Sequence, residues 1–378
     1  MKKLMSLASL MVMLVACNHN GEGQLTKSGL DPKNFVSEVH GKATALYTLT
    51  NADGMEVCIT NYGGRVVSIM VPDRDGKLQD VVLGFDSIAD YVGVEGNNFG
   101  AIIGRYGNRI DHGRFTLDGK EYQLPQNNYG HSLHGGPEGF YTQVWEPRQI
   151  DDRHLELTYE SPDGFAGYPG KLKVEVAYEL TADNALIIKY TATTDKPTIV
   201  NLTNHSYFNL NGDPSRDCMD QEVMIAADSI TPIDSTFMTH GTMMAVEGTP
   251  FDFRQAKPVG RDISADNEQL RNGKGYDHNY VLNTGQDINK VSASIYSPKT
   301  GILMEVFTSE PGLQFYVGNF LDGTVKGKRG VAYPLRSAIC METQHYPNSP
   351  NLSQYPSTVL RPGEVYRSRC FYKFSVRR

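Results

Sequence analysis

The sequence predicts an all-β protein, a single large antiparallel β-sandwich, and three observations carry that prediction. Leu172, Val174, Val176, Tyr178 and Leu180 alternate with Lys173, Glu175, Ala177 and Glu179; after the turn Thr181-Ala182-Asp183-Asn184 the alternation resumes at Leu186, Ile188, Tyr190 and Ala192. Period-two alternation of this length marks a long hairpin with one buried face. A second hairpin runs from Val291 to Tyr296, turns at Ser297-Pro298-Lys299-Thr300-Gly301 and returns from Ile302 to Phe307. Helical periodicity hardly occurs. No stretch has the βαβ spacing of a parallel nucleotide-binding sheet, and no glycine-rich phosphate loop is present.

In chain order, further strands are expected at Glu56–Thr60, Arg65–Val71, Asp80–Gly84, Phe115–Leu117, Glu121–Leu124, His154–Glu160, Gln221–Ala226, Gln314–Phe320, Ala338–Glu342 and Tyr366–Val376. Short helices are expected around Ser87–Tyr91 and Ser264–Leu270. The composition agrees. With 378 residues, of which 39% are hydrophobic, the chain can fill one large sandwich core, and the 21 tyrosines and 37 glycines suit strands and turns. A nucleic-acid partner is disfavoured, because 43 acidic residues against 36 basic ones would repel a phosphate backbone.

The first residues stand apart. Lys2 and Lys3 precede an uncharged, mostly apolar run from Leu4 to Ala16. It is too short for a ~30 Å bilayer core and reads as a signal segment. Leu14-Val15-Ala16-Cys17 resembles the lipobox of bacterial lipoproteins, in which cleavage precedes a cysteine that is then lipidated. The expected organisation is a signal peptide over 1–16, a lipidated Cys17 with a polar tether over 17–34, and the sandwich over 35–378. The expected location is the cell envelope, on the periplasmic side or the cell surface, with the membrane met only through the lipid. Cys58, Cys218, Cys340 and Cys370 lie far apart without a C-x-x-C pair, which gives a zinc site little support. Three of them, Cys58, Cys340 and Cys370, sit in strand-like runs, where buried free thiols are expected.

Five polar clusters interrupt the strand pattern: Arg105-Tyr106-Gly107-Asn108-Arg109, His131-Ser132-Leu133-His134-Gly135-Gly136, Asn201 to Leu210 around Asn204-His205, Gly275-Tyr276-Asp277-His278-Asn279-Tyr280, and Cys340-Met341-Glu342-Thr343-Gln344-His345. Each has a structural explanation when taken alone: Arg109 as a surface charge, His134 in a turn, Asn204 and His205 at a strand edge, Asp277 as a turn former, Glu342 where a strand reaches water. His131 and His134 are three apart but lack the helical H-E-x-x-H spacing, so no metal site is expected from them.

Taken together and in this order, the clusters resemble the aldose 1-epimerase (galactose mutarotase) family. The most specific pieces are Gly104-Arg105-Tyr106-Gly107-Asn108-Arg109-Ile110, Leu133-His134-Gly135-Gly136, Thr203-Asn204-His205-Ser206-Tyr207-Phe208-Asn209-Leu210, Tyr276-Asp277-His278-Asn279, Gln314 to Phe320, and Glu342-Thr343-Gln344-His345-Tyr346-Pro347. The resemblance implies a β-supersandwich with an open, sugar-sized cleft and interconversion of the α and β anomers of free aldohexoses such as glucose and galactose. It implies Glu342 as the base at the C1 hydroxyl and His205 as the acid at the ring oxygen. Asn108, Arg109, His134, Tyr207, Asp277 and Gln314 would hold the sugar hydroxyls.

These residue types suit the chemistry. Opening a cyclic hemiacetal takes a proton from the C1 hydroxyl and gives one to the ring oxygen, which a carboxylate and an imidazole can do as a pair. For good activity at neutral pH the sequence reading asks for a His205 pKa above the usual ~6.5, raised by a neighbouring carboxylate. No electron or group leaves the sugar, so no cofactor is required; a structural cation such as calcium is left open. The expected partner is the free aldohexose, and the expected state a monomer. Two other classes compete. A non-catalytic carbohydrate-binding sandwich would not need both Glu342 and His205. A polysaccharide lyase or glycoside hydrolase on a related fold would, if a hydrolase, usually need two flanking carboxylates.

Overall fold

A computed structural model describes residues 24–94 and 97–377. Cys17, the signal segment and the beginning of the expected tether lie outside the described residues.

The molecule is built on two large antiparallel sheets. The first has nine strands in the spatial order Glu146–Asp151, His154–Ser161, Leu172–Leu180, Ala185–Thr194, Tyr366–Val376, Ile302–Thr308, Ala293–Tyr296, Glu222–Ile225 and Lys257–Pro258. Both hairpins expected from the alternation are in it: Leu172 pairs with Thr194 and Leu180 with Leu186, and Ala293 pairs with Val306. The second has six strands in the order Tyr207–Phe208, Ile339–Gln344, Gly312–Tyr316, Asp277–Leu282, Ala227–Thr231 and Met244–Ala245. A four-stranded sheet, Leu46–Thr50, Glu56–Thr60, Arg65–Pro72 and Leu78–Asp80, completes the body.

Side-chain alternation explains how the six-stranded sheet can be buried on both faces. Phe208, Ile339, Met341, Leu313, Phe315 and Tyr280 point one way, into the core cluster that also takes Leu172, Val174, Val176, Ile188 and Tyr190 from the nine-stranded sheet. Each such apolar side chain contributes about 1.5–3 kcal/mol on burial. Tyr207, Cys340, Glu342, Gln314, Tyr316 and Asp277, each one or three positions from these along the same strands, point the other way and form a polar face. Because one set is fixed in the core, the register leaves the other set no choice of side.

Four expectations are corrected. The tether does not extend to residue 34. From Lys27 the chain is fastened to the sandwich, with Lys27 N–H donating to Glu56 Oε1 (2.8 Å), the Ser28 and Ser68 hydroxyls bonded (3.0 Å) and Leu30 fully buried. The expected strand Asp80–Gly84 ends its ladder at Asp80, whose carboxylate takes a buried ion pair from Lys328 Nζ at 2.6 Å and also accepts from Val82 N–H. The expected strand Gln314–Phe320 stops at Tyr316, because Gly318 turns to φ +70° and Asn319 donates to the Gly273 and Tyr276 carbonyls. The expected helix at 264–270 lies instead at Glu268–Gly273, where Asn267 supplies the N-cap to Gln269 and Leu270 N–H. The other short helix, Ile88–Gly93, starts where expected, capped by Ser87. The four cysteines 58, 218, 340 and 370 are free and buried.

Candidate active site

The polar face of the six-stranded sheet is one wall of a cleft. Gln314 stands opposite Glu342 in the ladder, and Asp277 opposite Tyr316. Gln314 Nε2 donates to Asp277 Oδ1 at 2.7 Å, and Gln344 Nε2 donates to Asn279 Oδ1 at 3.2 Å. The amides hold Asp277 and each other in place, so this part of the wall enters the cleft already ordered.

Loops supply the opposite wall. The short strand Arg109–Ile110 pairs with Ser132–Leu133, which places Asn108 and His134 side by side. They bond reciprocally: His134 N–H donates to the Asn108 carbonyl (3.0 Å), and Asn108 N–H donates to His134 Nδ1 (3.0 Å). With Nδ1 an acceptor, the neutral His134 ring carries its proton on Nε2 and is a donor there. Both residues lie in the left-handed region, Asn108 at φ +63° and His134 at φ +55°. Gly135 must be glycine: it sits at φ +85°, and a Cβ there would stand 2.1 Å from the Gly104 carbonyl oxygen. Arg109 is buried, lies over the Phe237 ring (4.8 Å to the centroid) and donates through Nε and Nη2 to Asn128 Oδ1 (3.3 and 3.0 Å).

His205 follows the short strand Thr203–Asn204, which pairs with Ile102–Ile103. Asn204 does the structural work here, donating to the Gly100 carbonyl and accepting from Ser206 N–H and Oγ, while His205 N–H donates to the Ala101 carbonyl. The imidazole is left for the cleft. Its Nε2 stands 3.5 Å from Glu342 Oε1, its Nδ1 3.6 Å from Cys340 Sγ, and it stacks on Tyr207 at 5.0 Å. Glu342 Oε2 is buried and has no partner, and the same is true of Asn98 Oδ1. Buried acceptors without donors are costly, and two of them lining the same cavity call for a ligand with hydroxyl groups.

All eight residues singled out from sequence, Asn108, Arg109, His134, His205, Tyr207, Asp277, Gln314 and Glu342, line one cavity of about 280 Å³. The sequence reading missed Asn98, Asn128 and Cys340. Cys340 had a legible signal, since it lies two residues before Glu342 on the same side of a strand; Asn98 and Asn128 are loop residues with none.

Burial governs the charges. It pushes the Glu342 carboxyl well above the usual range, with Asp277 adding to the rise and the Arg109 guanidinium opposing it. Burial raises Asp277 as well, against Arg109 and the Gln314 amide. His205 is pushed down to about 3, by burial first and by Arg65 in addition, and His134 goes down through burial, His205 and Arg109. The expectation of a raised His205 pKa is therefore overturned: at this depth the loss of water, with Arg65 adding to it, lowers the pKa. Burial thus favours a neutral imidazole beside a carboxyl that tends to keep its proton.

Among the described residues two groups bring three metal-capable side chains together, Asp111–His112–His131 and His134–His205–Glu342. His131 and His134 belong to different groups, so they do not act as an H-x-x-H pair. In the first group, His131 Nδ1 already accepts from His112 N–H (3.0 Å) and its Nε2 is bonded to the Thr236 hydroxyl (2.8 Å).

A β-sandwich with an amide-lined cleft that holds a buried carboxylate–imidazole pair defines a protein that handles a neutral polyol by proton transfer. The aldose 1-epimerase family model matches residues 45–373. The rat galactose mutarotase is 45% identical over 325 residues, covering 86% of this chain and 92% of that protein. An aldose 1-epimerase of Escherichia coli K12 is 40% identical over 337 residues, covering 88% and 96%. Among solved structures, a GalM/aldose epimerase homologue from C. elegans superimposes with a TM-score of 0.83 at 32% identity, covering 89% of this chain and all of that one. The galactose 1-epimerase of Lactobacillus acidophilus NCFM gives 0.79 at 31%, covering 90% and 97%. The chain belongs to the aldose 1-epimerase family.

Proposed function

We propose that the protein is a mutarotase that opens and recloses free aldohexoses, with Glu342 working at the C1 hydroxyl and His205 at the ring oxygen. The observation that carries this reading is the 3.5 Å approach of His205 Nε2 to Glu342 Oε1 at the base of the cavity, with Glu342 Oε2 unpartnered. In ring opening Glu342 takes the C1 hydroxyl proton, C1 becomes a carbonyl, the C1–O5 bond breaks and His205 gives O5 its proton. After rotation about C1–C2, the ring closes in the reverse sense. The two residues carry one proton between them throughout, so no outside acid or base has to regenerate them. A proton on the carboxyl beside a neutral imidazole, the state favoured by burial, is the form the pair has after ring opening.

The remaining lining residues bind. His134 Nε2–H and Arg109 are donors to hydroxyl oxygens, Asp277 and the Gln314 carbonyl oxygen are acceptors, and Asn108 and Tyr207 complete the set. Asp277, whose Oδ1 is occupied by the Gln314 amide, fits a hydroxyl holder better than the second catalytic carboxylate of a hydrolase. None of these steps calls on a redox or group-transfer cofactor. Polarimetry of freshly dissolved α-D-glucose and α-D-galactose tests the reading: the protein should speed the approach to the equilibrium rotation, and an unchanged rate with both sugars would contradict it.

We also propose that the chain is exported and anchored through a lipidated Cys17, acting on sugars outside the cytoplasm as a monomer. The basic start, the apolar run and Leu14-Val15-Ala16-Cys17 support this. Cys17→Ser should leave the product unprocessed or release it from the membrane fraction. A wild-type product that is wholly soluble and starts elsewhere would contradict the anchor without touching the chemistry.

A further inference from the structure

Arg65 is a buried cation that the proton transfer does not use. It opens the strand Arg65–Pro72, is 1% exposed and lies outside the lining of the cavity that holds Glu342. Its guanidinium donates to four neutral acceptors: Asn97 Oδ1 (2.9 Å), the Asn97 carbonyl (3.1 Å), the Phe99 carbonyl (3.0 Å) and the Tyr141 carbonyl (2.9 Å). The Tyr62 and Tyr91 rings lie 5.5 and 5.0 Å from it. Burying a charge on neutral partners is costly, and an apolar side chain would fill such a place with less loss. Stability alone does not call for a guanidinium here.

Three of the four bonds go to one short segment, residues 97–99. It leads into the turn 98–101, closed by Ala101 N–H to the Asn98 carbonyl (3.1 Å), and Val66, next to Arg65, donates its N–H to the Gly100 carbonyl (2.9 Å). This segment supports His205 twice. Gly100 N–H donates to the His205 carbonyl and His205 N–H to the Ala101 carbonyl, both at 2.9 Å. The Phe99 ring lies 4.5 Å from the Tyr207 ring, on which the imidazole stacks at 5.0 Å. Within the cleft, Glu342 and Cys340 stand 3.5 and 3.6 Å from the imidazole nitrogens, and the His134 and Tyr316 rings lie 5.2 and 6.4 Å away. The place of the imidazole therefore depends on the backbone beneath it and the ring beside it. Arg65 clamps both supports, and its charge is near enough to be felt at His205.

Proton exchange through a pair set 3.5 Å apart tolerates little displacement, and a misplacement of about 1 Å costs about 10²-fold in rate. A planar fork with donors in fixed directions suits such a clamp, since it holds several acceptors at once where an ammonium holds them loosely. We propose that Arg65 is a positioning residue of the reaction, which through the segment 97–101 holds His205 in register with Glu342 without touching the sugar. This rests on the mutarotase reading and adds to it a residue outside the cleft.

The test follows mutarotation of fresh α-D-galactose by polarimetry in Arg65→Lys, which keeps a cation and loses the fork, in Arg65→Met, and in Asn97→Ala. The last is a mild variant that removes one acceptor and leaves the guanidinium. Each is made in the wild type and in the His205→Asn background. In the wild type, kcat should fall about tenfold or more for the Arg65 variants and about threefold for Asn97→Ala, with KM rising by less. In the His205→Asn background the same changes should lower the residual rate by less than about twofold, because they act through His205. Histidines labelled with carbon-13 at Cε1 give a readout that needs no turnover: in the folded variants the His205 signal should shift while that of His278 stays in place. Full kcat in folded Arg65→Lys, or equal losses in both backgrounds, would overturn the proposal and leave Arg65 a part of the fold only. If the Arg65 variants do not fold, Asn97→Ala decides on the same two criteria. If the wild type speeds no mutarotation, the mutarotase reading falls and the His205 signal decides: a shift with His278 unmoved supports the clamp, and an unshifted signal overturns it.

Discussion

The Cys340 thiol lies 3.6 Å from His205 Nδ1, on the edge of the ring opposite the nitrogen that faces Glu342. Burial holds the thiol neutral, with its pKa well above the ordinary value, so its sulfur is a neutral acceptor for Nδ1–H. An imidazole that has given its Nε2 proton to the ring oxygen keeps the other on Nδ1, and the contact of Nδ1–H with sulfur leaves Nε2 to give the proton and take it back. Cys340 is thus a positioning residue that touches no substrate. Cys340→Ala should lower kcat several-fold with little change in KM, and Cys340→Ser, which restores an acceptor for Nδ1–H, should recover most of the loss. Full activity in the alanine variant would show that the thiol only fills space.

The pH dependence follows from the pair rather than from either residue, because groups this close titrate together. With His205 pushed down to about 3 and the Glu342 carboxyl pushed up, the free enzyme holds one shared proton over a wide span. A plot of kcat/KM against pH should keep its acid limb well below 6.5, and its alkaline limb should fall above the ordinary carboxylate range. An acid limb at or above pH 6.5 would contradict the dominance of burial. Arg109 lowers the Glu342 pKa, so Arg109→Ala should move the alkaline limb upward as well as raise KM.

Which parts of this were legible in the sequence depends on the range of the forces involved. The strands Leu172–Leu180 and Ala185–Thr194 were legible because each buries one face, and burial of one face writes an alternating pattern. Ile339–Gln344 is buried on both faces, so its apolar run marked a strand over 338–342 without showing which face meets the cleft, and Glu342 was found through its motif. Asn128 could not be found, since its tie to Arg109 crosses from one loop to a distant strand and neither segment is patterned for it. The direction of the His205 shift was misread for a related reason. A neighbouring carboxylate can be guessed from motifs, but the depth of burial is a property of the whole fold.

A second pH effect concerns stability. His278 is fully buried, with Nδ1 accepting from Asp277 N–H (3.1 Å) and Nε2 facing Gln269 Oε1 (3.2 Å), and burial pushes its pKa down to about 3. A histidine with a folded-state pKa below its unfolded value near 6.5 leaves stability intact above that pH. Stability then falls as the pH drops, because the unfolded chain binds the proton first. Between pH 7 and 5 this one group should cost about 2 kcal/mol. Urea unfolding of wild type and His278→Gln at both pH values should show the variant losing less by that amount. An equal loss in both would mean that His278 is charged in the native state.

The account's central claim is that Glu342 is the base for the C1 hydroxyl. Glu342→Gln keeps the size of the side chain and removes the base, so polarimetry of fresh α-D-galactose should show mutarotation reduced by about 10²-fold or more. Calorimetry on the same folded variant should still find the sugar bound. A Glu342→Gln enzyme that binds galactose and turns it over at close to the wild-type rate would contradict the claim.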